Sequence, residues 1–157
     1  MTKSLHYTHI IKHFITPFLI AILILAVFNS NNVNSSEKEE KRHQLVIQVS
    51  TDDPRTQKIA MNNAVNLQKL YGIDNVDIEI VAYGPGIGML ASKNEYASRV
   101  RSLIAQDITF SACMNTMNNV KKKTGKAVEL TEGVDSVTAG VARIMELQEA
   151  GYSYIRP

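Results

Sequence analysis

The sequence predicts one α/β domain in which helices cover both faces of a mainly parallel sheet. Short β-branched runs alternate with segments of helical spacing from residue 44 onwards, and strands separated by helices form right-handed parallel crossovers. A chain of 157 residues accommodates one such domain. Its single cysteine excludes an intrachain disulfide and the paired-cysteine zinc sites. The core must therefore stabilise this fold by itself.

An apolar segment precedes the domain. Phe14 to Phe28 is uncharged, follows Lys3 and Lys12, and is followed by a polar stretch. As a helix it would rise only about 22 Å against a hydrocarbon core of about 30 Å, which favours a signal peptide. The lack of an Ala-x-Ala site after the run favours a retained N-terminal membrane anchor. Both interpretations of residues 1–30 stay open, and a coincidentally apolar buried helix is a third.

The charge distribution predicts where the domain lies. The basic residues precede the apolar run, so the N-terminus is expected inside and the domain outside the cytoplasm, either periplasmic or tethered to the inner membrane.

Without Lys3 and Lys12 the chain carries 15 basic and 15 acidic residues. A neutral domain is not typical of nucleic-acid binding, so we expect no nucleic-acid partner.

A polar linker connects the apolar segment to the domain. Residues 31–43 are rich in Asn, Ser and charge and show no apolar period, so the domain is expected to span residues 44–157. His6, His9 and His13 have helical spacing, but they belong to the polar start of the apolar segment. We therefore predict no metal site.

The first half of the domain reads as strand, helix, strand. The β-branched run Gln44 to Ser50 predicts the first strand. Asp53 and Pro54 predict the N-cap and first residue of a helix that Gly72 ends. Val76 to Tyr83 predicts the second strand, which the turn Gly84-Pro85-Gly86 closes.

The second half continues the alternation and brings the expected strands to about five. Asn94 is expected to cap a helix that contains Val100, Leu103 and Ile104. The remaining elements are a strand over Ile108–Ala112, a helix over Asn115–Lys123 ending at Thr124-Gly125, a strand within Ala127–Leu130 and Val134–Thr138, a helix over Gly140–Ala150, and the final run Tyr152–Ile155.

The only cysteine follows the third predicted strand. Loops that leave the carboxyl ends of parallel strands gather at one edge of the sheet, where ligands bind. Cys113 precedes a helix, so unpaired N–H groups and the helix dipole would favour its thiolate, a nucleophile able to accept sulfur as a persulfide. A small buried hydrophobe is an equally weighted alternative. No second cysteine exists for an internal dithiol cycle.

Several sequence blocks together resemble one family. STDDP, VAYGPG, FSACMNTM and GVARIMELQEAGYSYIRP occur in this order over about 115 residues. The chain is therefore similar to the DsrE/DsrF family of sulfur-handling proteins. The resemblance implies a flavodoxin-like three-layer α/β/α sandwich, commonly a homo-oligomer, and a persulfide carried on the cysteine of the FSAC block, which is Cys113. The relay proteins of the family are cytoplasmic, whereas this chain has an export or anchor segment.

Other loop residues are candidate binding residues, each with a structural alternative. Asp52 could act as a base or bind a cation, or could occupy a turn. Gly84 and Gly86 could let the backbone approach an anion, although their spacing matches no nucleotide motif and predicts no cofactor. Asn115 could donate to a persulfide or cap the following helix. Arg143 could pair with an anionic sulfur species or form an ion pair with the protein or solvent.

Three functions are consistent with these residues. The first is a sulfur carrier or sulfurtransferase that uses Cys113 with a donor and an acceptor protein. The second is a non-catalytic module that binds a small ligand or partner in a pocket that Cys113 only lines. The third is a structural oligomer. Whether the protein is an enzyme is not decided by the sequence.

Overall fold

The computed structural model describes residues 42–157. Its strands form one sheet, all parallel, in the order β4-β3-β2-β1-β5. The strands are β1 (His43–Val49), β2 (Val76–Ala82), β3 (Ile108–Cys113), β4 (Asp135–Val137) and β5 (Ser153–Ile155). The α-helices of these residues are α1 (Pro54–Tyr71), α2 (Ala97–Ile104), α3 (Met114–Thr124) and α4 (Gly140–Glu149), with 3-10 turns at Ile73–Asn75 and Gly84–Leu90.

The larger core lies between the sheet and helices α1 and α2. Side chains alternate between the two faces of a strand, so the central register Ile47, Ile80 and Phe110 points to one side. These residues pack with Met61 of α1, Val100 of α2 and other buried side chains. Apolar burial of this extent is the main stabilising term of the fold.

The opposite face of the sheet is covered by α4. Val46 and Val81 form a smaller buried cluster with Ile144 and Leu147 of that helix. Helices therefore lie on both sides of a five-stranded parallel sheet, and the predicted three-layer α/β/α fold is confirmed.

The two predictions for the ends of α1 are also confirmed. The carboxylate of Asp53 accepts hydrogen bonds from the Thr56 N–H at 2.9 Å and the Thr56 hydroxyl at 2.6 Å, and these bonds lower the pKa of Asp53. Gly72 ends the helix with a φ of 89°, which favours glycine, and its N–H donates to the Gln68 carbonyl.

The cap predicted at Asn94 is wrong, and Asn115 does not take the capping position that was one of its two predicted roles. Helix α2 begins at Ala97, and Asn94 instead accepts from the Tyr96 N–H at 2.9 Å in the turn before the helix. Helix α3 begins at Met114, which makes Asn115 its second residue and Cys113 its N-cap. Asparagine side chains bond turns and helix ends equally well, so their position in the sequence does not decide between the two.

The N-terminal predictions lie largely outside the described residues. The signal peptide or anchor at 1–30 and the linker up to residue 41 belong to the part of the chain that the structure does not describe. Strand β1 begins at His43, the last residue assigned to the linker. Among residues 42–157, no helix has the length and apolarity needed to cross a bilayer.

Candidate functional site

Cys113 is the last residue of β3 and the N-cap of α3. It is a free cysteine with 5% of its surface exposed. Because strand side chains alternate, its side chain lies on the same face as that of Ser111, the face covered by α4. The thiol therefore lies under the beginning of α4, at the carboxyl edge of the sheet.

Two helix N-termini converge on the Cys113 sulfur. The N–H groups of Asn115 and Thr116 come from the first turn of α3, and the N–H of Gly140 comes from the first residue of α4. The thiol makes no conventional capping hydrogen bond, so these N–H groups act mainly as oriented donors that favour a negative charge on sulfur. The two helix dipoles act in the same direction.

The ionisation of Cys113 reflects a competition between burial and hydrogen bonding. Burial of the Cys113 thiol raises its pKa, whereas the Thr116 hydroxyl and the N–H groups of Gly140, Thr116 and Asn115 lower it. The effect of these donors prevails, and the pKa of Cys113 lies below that of an ordinary thiol. A larger fraction of Cys113 is therefore thiolate at neutral pH, which increases its reactivity as a nucleophile.

Gly140 can approach the sulfur because it has no side chain. A Cβ on Gly140 would lie 3.0 Å from Cδ1 of Tyr83 and 3.4 Å from Cβ of Cys113. These distances are tighter than most Cβ contacts, so a side chain at Gly140 would require Tyr83 or the start of α4 to shift by a few tenths of an ångström. Gly140 is itself buried.

The loop after β2 is tied to the same site. The N–H of Gly84 donates to the Thr116 hydroxyl oxygen at 3.0 Å, and Gly84 has a φ of 53°. Gly86 lies against the end of β1, where a Cβ would come within 2.3 Å of the Val49 carbonyl oxygen. Gly84 therefore contributes a donor to the site, whereas Gly86 allows the loop to pack against β1.

Arg143 is engaged in an ion pair inside the protein. Its guanidinium donates to both carboxylate oxygens of Glu79, at 2.9 and 2.7 Å, and the Ser111 hydroxyl donates to the same carboxylate at 2.6 Å. The pair raises the pKa of Arg143, mainly through the hydrogen bond to Glu79. Ser111 precedes Cys113 by two residues, or roughly 7 Å along the strand. The structure thus has the intramolecular ion pair, and a role in sulfur binding stays a prediction.

The predicted site residues are only partly brought together. Cys113, the N–H of Asn115 and, through Thr116, Gly84 belong to one arrangement. Asp52 is an exposed residue in the loop after β1, and its binding role likewise stays a prediction. The exposed Asn115 contributes its backbone, and its N–H also donates to the Thr138 carbonyl at 3.2 Å.

Sequence reasoning missed Thr116 and Gly140. Thr116 lies three residues after the N-cap, which is where an N-cap side chain meets a helix N–H, so its position carried a usable signal. Gly140 carried a weaker signal, because a glycine that begins a helix after a strand is consistent with close packing of the helix backbone against a neighbouring side chain. Its partner could not be named from sequence.

A separate groove lies beside α3. It has a volume of about 570 Å³ and is lined mainly by apolar atoms of the Gly84–Leu90 turn, α3 and the segment after it, including Ile87, Val120 and Val128, with Lys93 and Lys126 among its lining residues. Within residues 42–157 no group of three or more His, Cys, Asp or Glu side chains has the arrangement of a metal site.

Comparisons with known proteins agree with the fold. The chain is similar to the solved structure of MTH1491 from Methanobacterium thermoautotrophicum, a protein of unknown function, with 34% identity and a TM-score of 0.65 over 73% of this chain and 99% of that one. The ychN protein from E. coli is 12% identical with a TM-score of 0.57, over 74% and 99% of the two chains, which shows the fold alone. No protein of curated function matches. The sequence pattern of the DsrE/DsrF-like family matches residues 43–157, nearly three quarters of the chain, and the protein therefore belongs to that family.

Proposed function

We propose that Cys113 carries sulfane sulfur as a persulfide and passes it from a donor protein to an acceptor protein. The observation that carries the proposal is that Cys113 is the N-cap of α3 and packs against Gly140, the first residue of α4; the N–H groups of both helix N-termini lower the pKa of Cys113 despite its burial. Membership of a family that includes sulfur-relay proteins supports the same assignment. The helix N–H groups would also favour the negative charge of a bound persulfide.

The transfer step balances without an external oxidant. The Cys113 thiolate attacks the outer sulfur of a donor persulfide, R–S–SH, and a new S–S bond forms on Cys113. The S–S bond of the donor breaks, and its electron pair leaves with the donor sulfur as R–S⁻. An acceptor thiolate then attacks the outer sulfur of Cys113–S–SH in the same way, which restores the Cys113 thiolate. Each step exchanges one S–S bond for another.

The compartment and assembly are further parts of the proposal. The basic residues before the apolar run Phe14 to Phe28 support an exported domain, periplasmic or tethered to the inner membrane through an uncleaved N-terminal segment. The outer side of α4 exposes Val141 and Met145, which supports assembly of several copies into a homo-oligomer. The donor and acceptor proteins would then act outside the cytoplasm.

Intact mass spectrometry tests the proposed function. The protein is isolated from its native membrane or periplasmic fraction and measured before and after exposure to a sulfane-sulfur donor. We expect a gain of one sulfur atom that a reductant reverses and that is lost in Cys113→Ser, which removes the only cysteine. The same spectra show whether residues 1–30 have been cleaved. A donor that loads a known carrier but leaves this protein unchanged would overturn the proposal.

The alternative is a module that binds a ligand without sulfur chemistry. The groove of about 570 Å³ that Ile87 and Val120 help to line favours ligand binding, although Cys113 is not among the residues that line it, unlike in the pocket expected from the sequence. In that case Cys113→Ser would leave binding of the ligand or partner intact, whereas a carrier would lose sulfur loading. Oligomerisation does not separate the two functions, because both permit it.

A further inference from the structure

Glu79 is a buried carboxylate that three hydrogen bonds hold in place. It lies on β2 with 4% of its surface exposed, and it accepts from Nε and Nη2 of Arg143 at 2.9 and 2.7 Å and from the Ser111 hydroxyl at 2.6 Å. Taking a charge out of water is costly unless a partner charge and hydrogen bonds compensate for it. The bonds to Glu79 therefore fix the side chain of Arg143 above the sheet.

Arg143 ties the first turn of α4, residues 140–143, to the sheet. The apolar side chains that pack this helix on the sheet, Ile144 and Leu147, belong to its later turns, and the first turn contributes no buried apolar side chain. In the part of the chain that the structure describes, the side-chain hydrogen bonds that join the first turn to a strand are those from Arg143 to Glu79. The position of this turn therefore depends on the ion pair.

The same turn lies on Cys113. A Cβ built on Gly140, the first residue of the turn, would be 3.4 Å from the Cβ of Cys113 and 3.0 Å from Cδ1 of Tyr83. The N–H groups at the start of a helix have no partner within the helix and carry partial positive charge, which favours a nearby anion. How closely these groups approach Cys113 is set by what holds the turn against the sheet.

We propose that Glu79 and Arg143 are positioning residues of the Cys113 site: their ion pair holds the first turn of α4 against Cys113, where the helix N-terminus favours an anionic sulfur. Both residues act through the backbone of α4, so neither needs to touch the transferred sulfur. The inference deepens the proposed function and rests on it, because a sulfur carrier needs an anion at this position both as a thiolate and as a persulfide.

The test is the pH dependence of Cys113 alkylation by iodoacetamide, followed by mass spectrometry on the full chain. Removing Arg143 alone would leave the Glu79 carboxylate buried without a partner. The variant is therefore Glu79→Gln/Arg143→Ala, which leaves the net charge unchanged and keeps an acceptor for the Ser111 hydroxyl. We expect the midpoint of its profile to rise by about half a pH unit to one unit, which is the effect of a helix terminus on a partly buried charge.

Two controls separate positioning from a general loosening of α4. Glu146→Gln removes the exposed carboxylate that lies 3.8 Å from Arg143 and leaves the bonds to Glu79 in place. Leu147→Ala removes a buried apolar side chain from the later part of the same helix. Neither control should raise the midpoint. An unchanged midpoint in the folded double variant, or a rise of the same size in either control, would overturn the inference.

Arg143→Lys covers the case in which the double variant does not fold. Lysine keeps a positive charge beside Glu79 but cannot reproduce the two parallel bonds of the guanidinium. We expect a smaller rise of the midpoint in the same direction, and a midpoint equal to that of the wild type would then contradict the inference.

Sulfur loading is measured separately by intact mass, so the two proposals can fail independently. A wild type that loads no sulfur, beside a double variant with a raised midpoint, would contradict only the proposed function. A wild type that loads sulfur, beside a double variant with an unchanged midpoint, would contradict only the positioning role of Glu79 and Arg143.

Discussion

At the scale of single residues, the central feature is a buried thiol that is nevertheless easier to ionise than a free one. Burial of Cys113 favours the neutral form, but the Thr116 hydroxyl and the N–H groups of Gly140, Thr116 and Asn115 favour the thiolate and reverse the balance. In an apolar environment without such donors the same degree of burial would make the thiol inert. The surroundings of Cys113, more than its exposure, therefore set its chemistry.

This balance predicts how the stability depends on pH. The folded protein loses the Cys113 proton at a lower pH than the unfolded chain, whose thiol has its ordinary pKa, so unfolding takes up a proton between the two pKa values. The contribution of Cys113 to the free energy of unfolding should rise with pH in this window and be lost as the pH falls through the folded pKa.

Urea denaturation of the wild type and Cys113→Ser at several values between about pH 6 and pH 9 measures this contribution. The difference in free energy of unfolding between the two proteins cancels the other titrating groups. It should move in favour of the wild type as the pH rises. A difference that is flat or that falls with pH would mean that the folded state does not favour the thiolate.

At the scale of elements, the 3-10 turn Gly84–Leu90 holds the site together. It begins with the donor to Thr116, and the Tyr83 N–H just before it bonds the Val49 carbonyl at 3.1 Å. Gly86 packs directly against that carbonyl. The turn therefore connects the ends of β1 and β2 to the first turn of α3, and its packing should affect both stability and the geometry at Cys113.

Two glycines of this turn provide a matched pair of variants. In Gly86→Ala the new Cβ would lie 2.3 Å from the Val49 carbonyl oxygen, whereas in Gly88→Ala nothing lies within 4 Å. We expect Gly86→Ala to cost about 3 kcal/mol, the upper end for overpacking, because the clash involves backbone. Gly88→Ala should change the stability by less than about 0.5 kcal/mol. Denaturant midpoints measure both, and equal effects would show that the close approach to β1 is unimportant.

At the scale of the whole molecule, the two faces of the sheet are covered unequally. Helices α1 and α2 cover one face with a large core, while α4 covers the other with a small apolar cluster around Ile144 and Leu147. Thr109, on β3 next to the central strand, is exposed. The outer side of α4 shows Val141 and Met145, one turn apart, with 66% and 56% of their surfaces exposed. This side of the molecule is the one we expect to be buried in a homo-oligomer.

Charged substitutions test the expected interface. The double variant Val141→Glu/Met145→Glu should lower the oligomer mass of the full chain, because it places charge in an apolar contact. Leu70→Glu, at a residue of α1 that is 70% exposed, is the control and should leave assembly unchanged. Light scattering, in detergent if the N-terminal segment is retained, measures the mass. A monomeric wild type, or an equal effect of Leu70→Glu, would exclude this interface.

Local signals explain which predictions succeeded. The Asp53 cap and the Gly72 terminus of α1 depend on contacts within a few residues, so the sequence contains all of the relevant information. The position of Cys113 between a strand and a helix is equally local. Asn94 was misassigned, and capping by Asn115 is not found, because an asparagine can bond a turn or a helix end and the path of the chain decides between them. The partner of Arg143 could not be predicted from local signals, because Glu79 lies 64 residues away in the sequence.

The sequence by itself determined the alternation of strands and helices, the family, and the location of the only cysteine at the carboxyl edge of the sheet, because each of these depends on local pattern and order along the chain. The tertiary structure alone decided that β5 lies beside β1, that Gly140 packs against Cys113, that Gly84 bonds Thr116, and that Arg143 binds Glu79. These contacts join segments that are distant in sequence, and packing of the helices on the sheet is what brings their atoms within bonding range.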